Sequence, residues 1–174
     1  MSYYGQLTEA MTMLAQHPQT LFVGQGVRWQ NNAQFGTLAG VPEAKRHELP
    51  VIEDFQMGYC LGLALQGYLP ISVYPRWDFL LLAANQLANH VDKLPFTSFT
   101  GRAIVRVGVG AKYPLDSGRQ HTNDYSAAFR LMLRTVEVIE LDCARAVMPG
   151  YERALEADHS CIVVERANLY GETT

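Results

Sequence analysis

The sequence predicts one α/β domain, doubly wound, with a mainly parallel sheet and helices on both faces. Short β-rich runs alternate with stretches of helical period along the chain. Two of the runs, AIVRVGV and CIVVER, are nearly continuous in apolar residues, which suits strands covered on both faces better than strands with one wet side. The 174 residues, 48% hydrophobic and 18% charged, are enough for one sizeable core, and no internal repeat or interior linker divides them. Residues 1–174 therefore read as a single domain.

The elements follow in order. Tyr4, Leu7, Met11 and Leu14 recur at helical spacing, so the chain opens with a helix; TLFVG then reads as a strand closed by glycine. Residues 24–45 are polar and dotted with glycine, which predicts a loop. HELPVI leads into a helix expected over 54–66, PISVY is a strand, and WDFLLLAANQLANHVDKL reads as one long helix. AIVRVGV is the next strand. The following GAKYPLDSGRQHTNDY has no apolar period, and a loop of this length in a compact domain usually belongs to function. A helix over 124–134, the strand VEVIEL, a helix over 143–157 and the strand CIVVER complete five or six strands joined by helical crossovers.

Composition narrows the function classes. Lys+Arg 14 against Asp+Glu 17 gives a net charge of -3, so no basic field points to nucleic acid or an anionic membrane; a protein or a small molecule is the expected partner. No apolar run reaches the roughly 18–20 residues of a membrane-spanning helix, and MSYYGQLTEAM lacks the basic start and apolar core of a secretory signal. The expectation is a cytoplasmic protein. Cys60, Cys143 and Cys161 are odd in number, far apart and set in apolar contexts, so they read as reduced core residues and not as a disulfide framework or a CxxC zinc site.

Ligands of open parallel sheets bind beyond the carboxyl ends of the strands, so chemistry is sought in GQGVRW, IEDF, YPRWDF and GAKYPLDSGRQHTND. Neither VGVGAKY nor GQGVRW has the glycine order of a phosphate loop or a dinucleotide fingerprint. Ser117, His121 and Asp124 lack the GxSxG elbow of a hydrolase. The five histidines show no close metal-ligand pairing, and only His121 sits in a candidate loop. On helical spacing Phe79, Leu82 and Gln86 fall to packing, yet YPRWDF also sets Tyr74, Trp77 and Phe79 at the mouth of the sheet, where a flat ring could lie. IEDF puts Glu53 and Asp54 at the start of a helix, where a carboxylate can cap orphan N–H groups. Glu53 is flanked by the apolar Val51, Ile52, Phe55 and Met57.

Read together from Tyr4 to Gly171, these segments resemble the pyrimidine-binding domain of thiamine-diphosphate enzymes, specifically the β subunit of 2-oxoacid dehydrogenase E1 components in the transketolase-like group. PVIEDFQMGYCLGLALQGYLPI resembles the family's P-I-S-E-x-x-F-x-G, small-residue helix and G-x-x-P. VYPRWDFLLLAANQLANHVDKL resembles E-F-x-x-F-D-F-x-x-x-A-x-x-Q-I-x-N-x-x-A-K, RQHTND the A-Q-H-S-Q loop, and ERANLYG the E-x-x-x-L-Y-G segment. Order and near-ungapped spacing make the combination specific where each motif alone is not.

The resemblance implies roles. Glu53 matches the glutamate that hydrogen-bonds N1′ of the cofactor's aminopyrimidine; protonation there favours the imino tautomer, whose nitrogen can take the weakly acidic C2 proton of the thiazolium. Phe79 matches an aromatic that packs on the pyrimidine, and His121 a histidine that handles protons near the thiazolium. Gln25 stands where the family often carries a glutamate in a G-E-[DE]-V turn, and Gly26 replaces the next acid. Asp54 has no family role.

Magnesium and diphosphate are bound in this family by another domain through a GDG motif, which this sequence lacks. The resemblance therefore implies half a thiamine diphosphate site, completed by a separate diphosphate-binding E1 α-like subunit that holds most of the Mg2+ contacts, in a homodimer or heterotetramer acting on a 2-oxoacid or ketose-like substrate. No diphosphate-binding domain and no C-terminal transketolase-like domain is expected in this chain. An oxidative E1 β-like subunit with that C-terminal domain encoded elsewhere, and a non-catalytic protein-association module, are the alternatives.

Overall fold

The computed structural model describes residues 1–110, 116 and 118–171; the rest of the long glycine-rich loop, with Ser117, lies outside the described residues. The chain opens with α1 (Tyr3–Gln16), whose Ser2 hydroxyl accepts from the Gly5 N–H at 3.2 Å as an N-cap. β1 (Thr20–Gly24), β2 (Arg46–Glu48), α2 (Glu53–Leu65) and β3 (Leu69–Tyr74) follow. Next come the short helices α3 (Trp77–Leu80) and α4 (Ala84–Gln86), then β4 (Ile104–Val109), α5 (Ser126–Met132), β5 (Glu137–Leu141), α6 (Ala144–Glu156) and β6 (Cys161–Arg166).

The strands form one sheet in the order β2-β1-β3-β4-β6-β5, and every pairing is parallel. The doubly wound fold predicted from the sequence is the fold observed. Side chains alternate between two cores, as period-2 strands require. Phe22, Ile71, Ile104, Cys161 and Val163 meet Leu7, Met11 and Leu14 of α1 and Val147 and Tyr151 of α6. On the other face Tyr74, Val105, Val107, Ile162 and Val164 meet Met57 of α2, Trp77, Leu80 and Leu87 of the following helical stretch, and Phe129 of α5.

The five or six strands expected are six, and two other expectations need correction. The segment before α2 contains a sixth strand: β2 is three polar, half-buried residues at the sheet edge, too short for an apolar pattern to mark it. Cys60 and Cys161 are buried as expected, but Cys143 is exposed just before α6; all three are free thiols. The long helix is broken into α3, a 3-10 turn over Leu81–Ala83, α4 and a π turn over Leu87–Val91.

The π turn has a tertiary reason. Its last bond runs from the Asp92 N–H to the Leu87 carbonyl at 2.8 Å, and Asp92 is buried with its carboxylate accepting from the N–H groups of Arg134, Thr135 and Val136 at 2.8, 2.7 and 3.2 Å. This one side chain ties the helical stretch to the turn between α5 and β5. Burial pushes its carboxyl up, but the N–H groups of Thr135, Arg134 and Val136 outweigh that and hold it below the ordinary value.

Asp92→Ala is expected to cost about 2–3 kcal/mol at neutral pH, read from the shift of a urea midpoint. Because the folded value is lowered, the carboxylate's contribution is complete above the unfolded pKa and fades as pH falls through the folded one. The gap between wild type and variant should therefore narrow in acid.

Candidate functional site

From β1 the chain moves outward to β2, then crosses through α2 to β3 on the other side of β1. That reversal leaves a crevice beyond the carboxyl ends of β1 and β3, the usual ligand position in such sheets. Gln25 directly follows β1, and Glu53 is the first residue of α2. Glu53 is only 7% exposed; the Gln25 amide donates to its Oε1 at 3.4 Å, and the Tyr74 hydroxyl donates to its backbone carbonyl at 3.1 Å.

The flanking expectations are only partly met. Met57 is buried, but Val51, Ile52 and Phe55 are 72%, 53% and 50% exposed, so they do not enclose Glu53 within this chain. Asp54 does not cap α2, whose N-cap is Ile52 without a side-chain bond. Its carboxylate instead accepts from the Gln86 amide at 3.3 Å while lying in the first helical turn, where the dipole favours an acid.

The turn that presents Gln25 depends on two glycines. A Cβ on Gly24 would lie 2.5 Å from the Val73 carbonyl oxygen, and Gly26, at φ +67°, would drive one to within 1.9 Å of Asn31 Oδ1. The turn is then closed by Glu48 at the end of β2, whose carboxylate accepts from the N–H groups of Gly26, Val27 and Arg28 at 2.6, 2.8 and 2.7 Å. Sequence reasoning missed Glu48, since an acid in a short polar run carries no periodic signal.

Gln56 was missed as well. It is fully buried one turn after Glu53, and its amide donates to Val73 O, Ser72 Oγ and Val23 O at 3.0, 3.1 and 3.4 Å, pinning α2 across β1 and β3. Removing Glu48 as Glu48→Ala leaves three N–H groups without their acceptor. The expected cost is about 1–3 kcal/mol, with faster amide hydrogen exchange at Gly26, Val27 and Arg28 as the local readout.

The second half of the site comes from the ends of β3 and β4. Trp77 and Tyr74 are fully buried, Trp77 against Phe129 at 4.8 Å between ring centroids, so they belong to the core and not to the mouth of the sheet. Leu82, expected in the packing, is exposed. Phe79 alone of the three aromatics keeps partial exposure, and its ring meets His121 at 5.3 Å between centroids, tilted by 55°.

The segment carrying His121 is tied down on both sides. The Asn123 amide donates to Asp78 Oδ1 at 2.5 Å, and Asp124 accepts from the Ser126 hydroxyl and from Arg166 Nη1, each at 2.5 Å. Burial pushes the Asp124 carboxyl up, but its bonds to Ser126 and Arg166 outweigh that and lower it. Arg166 also reaches Asp142 at 2.7 Å and Glu140, joining the ends of β5 and β6 to this segment. Asp124 thus anchors a loop and does not orient His121 as part of a hydrolase triad.

All four residues singled out in the sequence therefore lie at the carboxyl edge of the sheet, as two contacting pairs, Gln25 with Glu53 and Phe79 with His121. Chemically they offer a nearly buried carboxylate able to exchange a proton with a ring nitrogen, an aromatic face for a flat heterocycle, and an imidazole beside it.

No family model matches the chain. Among curated proteins it is 26% identical to the pyruvate dehydrogenase E1 component subunit beta of Chaetosphaeridium globosum over 126 residues, covering 71% of this chain and 38% of that protein. The subunit of the same name from Gracilaria tenuistipitata var. liui is 33% identical over 86 residues, covering 48% of this chain and 26% of the relative. The chain thus spans about a quarter to two fifths of the length of the curated relatives it matches. Among solved structures, a protein described as split gene transketolase, inactive beta4 tetramer superimposes with a TM-score of 0.74 at 14% identity, over 95% of this chain and 51% of that one. In fold this chain is similar to the split gene transketolase chain, and over part of its length its sequence is similar to pyruvate dehydrogenase E1 β subunits.

Proposed function

We propose that the chain is the pyrimidine-binding, E1 β-like subunit of a split thiamine-diphosphate enzyme acting on a 2-oxoacid or ketose-like substrate. The observation that carries this reading is the Glu53 carboxylate, 7% exposed at the switch point of the sheet with Gln25 as its neighbour. When bound, thiamine diphosphate supplies the carbanion chemistry that amino-acid side chains lack. Glu53 holds the proton exchanged with N1′ of the pyrimidine, Phe79 packs on that ring, Gln25 orients Glu53, and His121 handles a substrate proton.

The diphosphate and its Mg2+ are assigned to a separate E1 α-like subunit. Support comes from the exposed Val51, Ile52 and Phe55, which border Glu53 and form the kind of apolar surface that a subunit would cover while shutting water out of the site. The relative described as a split gene transketolase supports the idea of a half-site that is encoded separately.

The test combines the chain with a GDG-containing E1 α-like protein, thiamine diphosphate and Mg2+. Decarboxylation or ketol transfer that needs both chains supports the proposal. Reductive acylation of a lipoyl domain by the same mixture would instead identify the oxidative E1 β-like reading, which the resemblance of the RQHTND loop around His121 favours. Assembly without any cofactor-dependent heat or absorbance change would leave only a protein-association module.

A further inference from the structure

The amino edge of the sheet, opposite the crevice, carries a second chemical cluster. Glu137 opens β5 and Cys161 opens β6, and the two are register partners in the parallel pair, so their side chains leave the sheet on the same face. His159, two residues before β6, turns its Nε2 to within 3.3 Å of Glu137 Oε2. A carboxylate oxygen of Glu137, a ring nitrogen of His159 and the sulfur of Cys161 all lie within 4.8 Å of one another.

We propose that Glu137, His159 and Cys161 form a site for a borderline-soft divalent cation of the Zn2+ class. In a tetrahedral zinc site the donor atoms stand about 3–4 Å apart. The Glu137–His159 pair already does, and Cys161 needs only a small approach. One imidazole, one thiolate and one carboxylate select Zn2+ or Co2+ over Mg2+ and Ca2+, which prefer all-oxygen sets.

Two further observations favour a metal over a plain ion pair. The other ring nitrogen of His159, Nδ1, is held by Asp158 Oδ1 at 2.9 Å, the carboxylate–histidine arrangement that orients an imidazole toward a metal. The cluster also borders an open groove of ≈ 450 Å³ lined by Glu137, Pro149, Arg153 and His159 among others, which gives an ion access and leaves room for water as a fourth ligand. Burial, with help from the Glu137 charge, pushes the Cys161 thiol up to about 12; metal binding would displace that proton to the buffer. Arg153 holds Glu137 Oε1 at 2.5 Å, and its largely exposed side chain can keep that oxygen while Oε2 turns to the ion.

The site lies at the edge remote from Glu53, so it stands or falls apart from the thiamine-diphosphate reading. The experiment is titration of the reduced, metal-free chain with Co2+, followed by absorption, with Zn2+ added in competition. A thiolate-to-cobalt charge-transfer band and tetrahedral ligand-field bands, saturating at one Co2+ per chain and erased by Zn2+, are expected. Cys161→Ser should abolish the charge-transfer band, and Cys143→Ser, altering an exposed thiol elsewhere, should leave it unchanged. Asp158→Asn, at a fully exposed side chain, should weaken binding about 10-fold without touching a ligand. No thiolate band in the wild-type chain, or a band that survives Cys161→Ser or follows Cys143, overturns the proposal.

Discussion

Glu53→Gln is expected to lower the turnover of the reconstituted enzyme by about 100-fold or more while leaving the fold intact. The size follows from the job proposed for the carboxyl group, since a positioned acid–base residue typically contributes 10²–10⁴-fold. Glutamine keeps the shape and can still accept from Gln25, but it cannot exchange a proton with a ring nitrogen. Stability should move by less than about 0.5 kcal/mol, because among the described residues the one side-chain bond at stake is the 3.4 Å contact from Gln25.

Asp54 provides the internal control. It is exposed and, among the described residues, its side chain is bonded through the Gln86 amide alone, so Asp54→Asn should keep turnover within about two-fold. Steady-state rates on both variants, with calorimetric titration of thiamine diphosphate, separate loss of chemistry from loss of binding. Near-normal turnover in Glu53→Gln would remove the assigned role.

Much of this was legible because parallel strands buried on both faces write themselves as apolar runs. TLFVG, AIVRVGV and CIVVER became β1, β4 and β6 within a residue. Glu53 was legible for a different reason: the helix was expected only from residue 54, and it was the resemblance of PVIEDFQMGY to a family motif that singled out Glu53, which the strand order then puts at the switch point. The breaks in the stretch from Trp77 to Val91 were not legible. The 3-10, α and π turns are each only three to five residues long, too short for their different periods to show, and the π turn answers to Asp92 reaching the 134–136 backbone, a contact more than forty residues away. Polar residues that work inside the fold were hidden in the same way. Gln56 occupies the buried stripe of α2 together with Glu53, Met57, Cys60 and Ala64, where helical spacing calls for an apolar side chain, and only the structure shows the acceptors in β1 and β3 that its amide NH2 group reaches.

Arg106→Met is expected to destabilise the domain by about 3–5 kcal/mol, the usual result of leaving one member of a buried ion pair alone. Arg106 in β4 and Glu165 in β6 are both fully buried. The guanidinium donates from Nε to Oε1 at 2.6 Å and from Nη2 to Oε2 at 3.0 Å. The same carboxylate accepts from the hydroxyls of Tyr151, at 2.5 Å, and Tyr170, and more weakly from the Gln34 amide at 3.4 Å. Burial works to discharge Arg106, but the Glu165 carboxylate outweighs it and raises the guanidinium pKa. Burial and then the Glu165 charge push both phenols up, so they remain donors. Glu165→Leu should cost a similar amount by stranding the guanidinium.

The double variant should lose less than the sum of the two, because each change removes the charge that the other strands. It should still fall below wild type, since the Tyr151 and Tyr170 hydroxyls lose their acceptor at about 1–3 kcal/mol each. Urea midpoints of the four proteins give the coupling, and single variants costing under about 1 kcal/mol would refute the account. Glu165 and Tyr170 are the acid and the tyrosine of ERANLYG, so that segment acts here as an internal lock. The lock also bears on the site: Glu165 adjoins Arg166, which holds Asp124 and hence the segment carrying His121. Loss of the pair should therefore loosen the placement of His121 before the sheet itself opens.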